Sequence, residues 1–120
     1  MSEDKHEVGA EHFEVFVGSC LETLARWGVN DWEVRFSHEQ VDGVLARTSL
    51  LVVKRVAIVK LSKTWDEPVT NGRLKEVARH ECVHILIGRL ACLVGAGWLA
   101  RDEAEAAEES LVQSLLRLLP

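Results

Sequence analysis

Tyrosine is missing from the chain altogether, so no phenol can serve as a proton donor or as a hydrogen-bond donor to an oxyanion. Proline is scarce, with two in 120 residues, while 48% of the residues are hydrophobic and 28% charged. That balance excludes a disordered or fibrous chain and fits an ordinary globular one. The cysteines Cys20, Cys82 and Cys92 form an odd set with no C-x-x-C pair. This argues against a disulfide framework or a zinc ribbon and leaves all three as buried packing residues. Long apolar runs are lacking too: the longest, LACLVGAGWLA, falls well short of the roughly 20 residues that a membrane-spanning helix needs.

Positive charge is not in excess either. A formal net charge of −5 works against a phosphate-backbone partner, which would be held by clustered Lys and Arg. The opening MSEDKHEVGAEHFEVF is acidic where a secretory signal would be basic and then apolar. The expectation is a cytoplasmic protein with neither a nucleic-acid nor a membrane partner.

What is present fits one domain spanning residues 1–120, with the polar residues 1–9 loosely held. EHFEVFVGSCLETLARWG places Phe13, Phe16, Val17, Leu21 and Leu24 at helical spacing before Gly28, which predicts a helix over about residues 11–27. WEVRF alternates Trp32, Val34 and Phe36 with Glu33 and Arg35, the period of a strand over 31–37. After the Asp42-Gly43 turn signal, β-branched residues predict two more strands, roughly 43–49 and 55–62. DEPVTNGR is loop chemistry; a long helix runs from Leu74 to Val94, and an acidic-to-basic helix closes the chain after GAGW. The fold class is α+β: an N-terminal helix, a small three-stranded sheet and two further helices.

The long helix carries His80-Glu81-Cys82-Val83-His84, an HExxH pattern. Helical positions i and i+4 are separated by about 40° of rotation and about 6 Å of rise, so both imidazoles can address one ion. Two neutral imidazoles suit zinc. Glu81 lies about 100° further round, within reach of a water on the same metal, which is where a general base belongs. A shuffled chain of this composition would show the pattern in roughly 2% of cases, so composition alone does not explain it.

A catalytic zinc takes three protein ligands, and no histidine follows His84. Five acids do: Asp102, Glu103, Glu105, Glu108 and Glu109. At about 100° per residue, the stripe of Leu111, Val112, Leu115, Leu116, Leu118 and Leu119 is centred within about 10° of Glu108. Glu105 falls about 60° and Glu109 about 100° from that centre. Glu108 is therefore the expected inward carboxylate, with Glu105 and Glu109 as alternatives. Gly88, one turn beyond His84, offers a place where a missing side chain can admit the neighbouring helix.

Through HECVH and a glutamate in EAAEESLV on the next helix, the chain resembles the zincin metallopeptidases of gluzincin type. It is also similar to short metallopeptidases encoded in phage and prophage genomes. The shared layout runs from about Trp32 to the end: a W-x-V strand, a GVLAR strand, an AIVKLS strand, the HExxH helix and a closing acidic helix. The resemblance implies a minimal zincin fold with Zn2+ on His80, His84 and Glu108, and general base and acid work by Glu81. It further implies hydrolysis of a peptide or protein substrate laid as an added strand along VAIVKLS. With no tyrosine for the oxyanion, His38, His12 or an arginine would have to substitute. The alternative is a zinc-stabilised, non-catalytic binding or regulatory protein with a vestigial zincin site. A DNA-linked protease of the SprT-like kind would require a zinc ribbon or basic tail, and the sequence carries neither.

Overall fold

A computed structural model describes residues 5–94 and, near the C-terminus, Glu109, Val112, Gln113, Leu116 and Arg117. The elements in order are β1 (His6–Glu7), α1 (Ala10–Arg26), β2 (Glu33–His38), β3 (Ala46–Leu51), β4 (Val56–Leu61), β5 (Thr64–Trp65) and α2 (Asn71–Val94). The five described C-terminal positions are helical. The fold is α+β.

The buried face of α1 is Phe16, Cys20 and Leu24, with Phe13 half-buried beside them. Leu21, expected on that face, is 52% exposed, because the helix turns its 16/20/24 line, not its 17/21 line, toward α2. The polar N-terminal stretch, expected to be loose, is tied down at His6–Glu7. These residues pair antiparallel with Thr64–Trp65, and Val8, which follows, is buried and donates its N–H to Lys63 O at 2.9 Å.

The main sheet has the order β2-β4-β3, with β2 parallel and β3 antiparallel to β4. Sequence neighbours β2 and β3 therefore do not pair. The chain crosses to the far edge through Gly43, whose φ of 83° is the left-handed turn that Asp42-Gly43 foretells. Ser62, fully buried, pins this crossing: its hydroxyl donates to Val41 O at 3.0 Å and accepts from Val41 N–H at 3.3 Å. β4, the most apolar strand, takes the middle, where Val56, Ala57, Val59 and Leu61 are all buried. This overturns the expectation that VAIVKLS receives a substrate strand, since both of its edges are occupied. Among the described residues the open edges belong to β2 and β3, and β3 is the one that lines the cleft beside α2.

α2 begins three residues earlier than its periodicity suggests. Thr70 caps it, accepting the Arg73 N–H on its hydroxyl at 3.1 Å and the Leu74 N–H on its carbonyl at 2.9 Å. Asn71 and Gly72, read from sequence as loop, thus become its first turn. Leu74, Ala78, Cys82 and Ile85 sink into the core with Phe16, Leu61 and Trp65. Each large side chain fully buried here contributes about 1.5–3 kcal/mol. Val83 and Ile87, on another flank of the helix, form a second cluster with Val112, against which Trp27 and Leu116 pack. That second cluster fixes how the C-terminal helical residues lie on α2.

Candidate metal centre

One side of α2 is covered by the core and another by the second cluster, which leaves a strip carrying His80, Glu81 and His84. The strip lines a cleft of about 1380 Å³ whose opposite wall is β3 and whose far rim includes Glu109, Gln113 and Leu116. The two imidazoles stand edge to face with centroids 5.1 Å apart, as the i, i+4 spacing predicts. They remain partly accessible, His80 at 27% and His84 at 16%.

Glu109 completes the group. Its Oε1 lies 3.3 Å from His80 Nε2 and its Oε2 3.4 Å from His84 Nε2. The three residues can each offer one ligand atom within 4.8 Å of the others. Charge-assisted N–H···O bonds are usually about 2.7–2.9 Å, so these separations are long for a simple ion pair. Both imidazole Nε2 atoms face the same carboxylate, one at each oxygen. Two imidazoles and a carboxylate are also a donor set that zinc accepts. The arrangement can hold a metal ion.

Glu108, the ligand expected from sequence, lies outside the described residues, as does Glu105. The carboxylate set against the imidazoles is its neighbour Glu109, one of the alternatives. The helical face that docks on α2 runs through Glu109, Val112 and Leu116, at spacings of three and seven. Val112 is fully buried against Val83 and Ile87. Averaging every apolar residue of the segment gives them equal weight, whereas docking counts only those that meet α2.

Glu81 is 5% exposed and points at β3, where Thr48 donates its hydroxyl to Glu81 Oε1 at 2.7 Å. Burial pushes the Glu81 carboxyl above its ordinary range, against the opposing pull of the Thr48 hydroxyl and of His84 and His80. A carboxyl raised toward neutrality suits proton uptake and return. Thr48 was not singled out from sequence. Its only signal there is parity, since Ala46, Thr48 and Leu50 share the inward face of β3. Gly88 does admit a neighbour, but that neighbour is β3, not a helix: a Cβ there would sit 2.5 Å from Leu50 Cδ1. Close approach of strand and helix is what brings Thr48 to Glu81.

Neither histidine offered as an oxyanion substitute lies in the cleft. His12 Nδ1 accepts the Gly9 N–H at 3.0 Å and so caps α1, and His38 stacks on Phe13 with ring centroids 5.0 Å apart. Arginines do line it: Arg47, Arg73 and Arg79. Behind the motif, Cys20 and Cys82 are buried free thiols, Cys82 donating to Cys20 O at 3.5 Å. The Cys20 thiol is pushed far up, first by its hydrogen bond with Cys82 and then by burial, as befits inert packing residues. The side chain of Cys92 lies outside the described residues. No helix among the described residues is long and apolar enough to cross a membrane.

No family model, curated protein or solved structure matches this chain.

Proposed function

We propose that the cleft is the active site of a small zinc-dependent metallopeptidase of zincin type, working in the cytoplasm. His80, His84 and Glu109 would hold the ion. The observation that carries the reading is the convergence of three donors, all within 4.8 Å of one another, beside a buried carboxylate that is not itself one of them. A structural ion would need no such neighbour.

Zinc bound there supplies Lewis acidity, drawing charge from a carbonyl oxygen and making a water easier to deprotonate. The protein's own residues do the rest. Glu81 takes the proton of the attacking water and returns it to the departing amine, two transfers that one carboxyl with a raised proton affinity can perform in turn. Thr48 holds Glu81 Oε1 and so leaves the other oxygen to face the reaction. The open edge of β3 offers backbone donors and acceptors along which an extended peptide can lie, with its carbonyl delivered to the cleft. Arg47, Arg73 and Arg79 are the cleft residues able to stand in for the missing phenol at an oxyanion.

The substitution Glu81→Gln tests this. It keeps the side-chain shape and leaves the three proposed ligands in place, so zinc content should be unchanged while hydrolysis of a mixed peptide library disappears. Retained hydrolysis would remove Glu81 from the mechanism. A wild-type protein that binds zinc and cleaves nothing would favour the non-catalytic zinc-stabilised alternative, to which the absence of tyrosine also points.

A further inference from the structure

β3 is an edge strand, and one side of its backbone is free. The Ser62 N–H donates to Leu45 O at 3.0 Å and Ala46 stands opposite Leu61, so the alternation of an antiparallel ladder turns the backbone groups of Arg47, Ser49 and Leu51 toward β4. Those of Ala46, Thr48 and Leu50 face the open edge. The cleft runs along that edge, since it is lined by Arg47 and Ser49 from one face of the strand as well as by Thr48 and Leu50 from the other. A peptide laid antiparallel there makes its hydrogen-bonded pairs with Ala46, Thr48 and Leu50. Opposite Arg47 and Ser49 come the non-hydrogen-bonded pairs, in which facing side chains stand closest, with Cα atoms about 4.5 Å apart.

Arg47 brings an unmatched charge to one of those positions. It is exposed, and no described acid pairs with it. Its register partner on β4 is Lys60, a like charge, and Lys60 itself meets Glu39 at 3.7 Å. Like charges directly opposite each other are unfavourable, so Arg47 meets repulsion on the β4 side and finds room on the open side. The other arginines of the cleft are less available: Arg73 meets Glu67 at 2.7 Å and Glu76 at 3.6 Å, and Nε and Nη2 of Arg79 are shielded from solvent.

We infer that Arg47 is a specificity-determining residue that pairs with an acidic side chain of the substrate. The preferred substrates are then peptides with Asp or Glu at the position facing Arg47 across the open edge. The inference rests on the peptidase reading above and names its substrate class. Thr48, the next residue of the strand, holds Glu81. The substrate residue opposite Arg47 is therefore the direct neighbour of the one opposite Thr48, close to the bond that Glu81 addresses. An acidic side chain there extends the row of Lys60 and Arg47 with the opposite charge, which a neutral or basic one cannot do.

The test uses zinc-loaded protein and a peptide series in which Glu, Gln or Lys stands in turn at each position around the cleaved bond. At one position kcat/KM should favour Glu over Gln by about twofold to fivefold, the range of an exposed ion pair, and the ratio should shrink at high salt. Arg47→Gln should bring the ratio at that position to one, and Arg47→Glu should invert the preference toward Lys. A charge preference spread evenly over all positions would reflect the field of the whole protein and overturns the inference. A fall in rate common to every peptide, with the ratios unchanged, would place Arg47 at the oxyanion and also overturns it. Binding is measured separately by fluorescence anisotropy in the Glu81→Gln background, where the same ratios are expected. If no peptide is cleaved, the peptidase reading fails and these binding ratios decide Arg47 by themselves; equal binding of the Glu, Gln and Lys peptides then overturns the inference as well. Cleavage with no preference at any position overturns the inference while leaving the peptidase reading intact.

Discussion

Replacing Thr48 by valine removes one hydroxyl and nearly preserves the side-chain shape, which isolates a single contact of the site. That hydroxyl donates to Glu81 Oε1 at 2.7 Å, and Glu81 is 5% exposed, so water can hardly replace it. A hydrogen bond to a charged group is worth about 1.5–3 kcal/mol, and one between neutral groups about 0.5–1.5 kcal/mol. Valine returns part of the loss through strand preference and apolar burial, but it does so equally whatever stands at position 81. Thr48→Val should therefore lower the unfolding free energy by about 1–2 kcal/mol in the native background and by about 1 kcal/mol less beside Glu81→Gln. The assay is urea unfolding of the metal-free protein at neutral pH for the native chain, both single variants and the double variant. With slopes of about 1–3 kcal/mol per molar urea, the difference is readable in the midpoints. A coupling within about 0.3–0.5 kcal/mol of zero is what independent sites give. That result would refute the claim that Thr48 anchors the Glu81 carboxyl.

Glu109→Ala should weaken zinc binding far more than Glu108→Ala, measured as dissociation constants by chelator competition; the reverse ranking would return the third ligand to Glu108. Zinc affinity should fall steadily as pH is lowered, because protons compete for the imidazole nitrogens of His80 and His84; titrations at two pH values with equal affinity would exclude those ligands. Gly88→Ala gains about 1 kcal/mol of helix propensity but forces Leu50 aside at a cost of about 1–3 kcal/mol. It should therefore be neutral to mildly destabilising, and its penalty should shrink beside Leu50→Ala; penalties that simply add would mean that Leu50 is not what Gly88 accommodates.

Spacing along the chain determined the helix that bears the motif and the pairing of His80 with His84. Four residues of helix place two side chains on one face whatever else the chain does. Sequence also determined the α+β class and the three longer strands, because alternation and helical periodicity are local consequences of burying one side. Local patterns could not tell that β4 lies between β2 and β3, since strand order depends on which edges remain free once the sheet meets α1 and α2. The same limit explains the short pairing of His6–Glu7 with Thr64–Trp65, two residues a side and held by contacts 57 and 59 positions apart. At the site, tertiary structure decided three things. It turned Glu109 rather than a helix-averaged position toward the imidazoles, through the docking of Val112 on Val83 and Ile87. It brought Thr48 to Glu81 by letting β3 approach α2 at Gly88. It also left the Nε and Nη2 of Arg79 shielded and unmatched among the described residues, because whether a charge finds its partner depends on what packs around it, and the sequence lists only its neighbours along the chain.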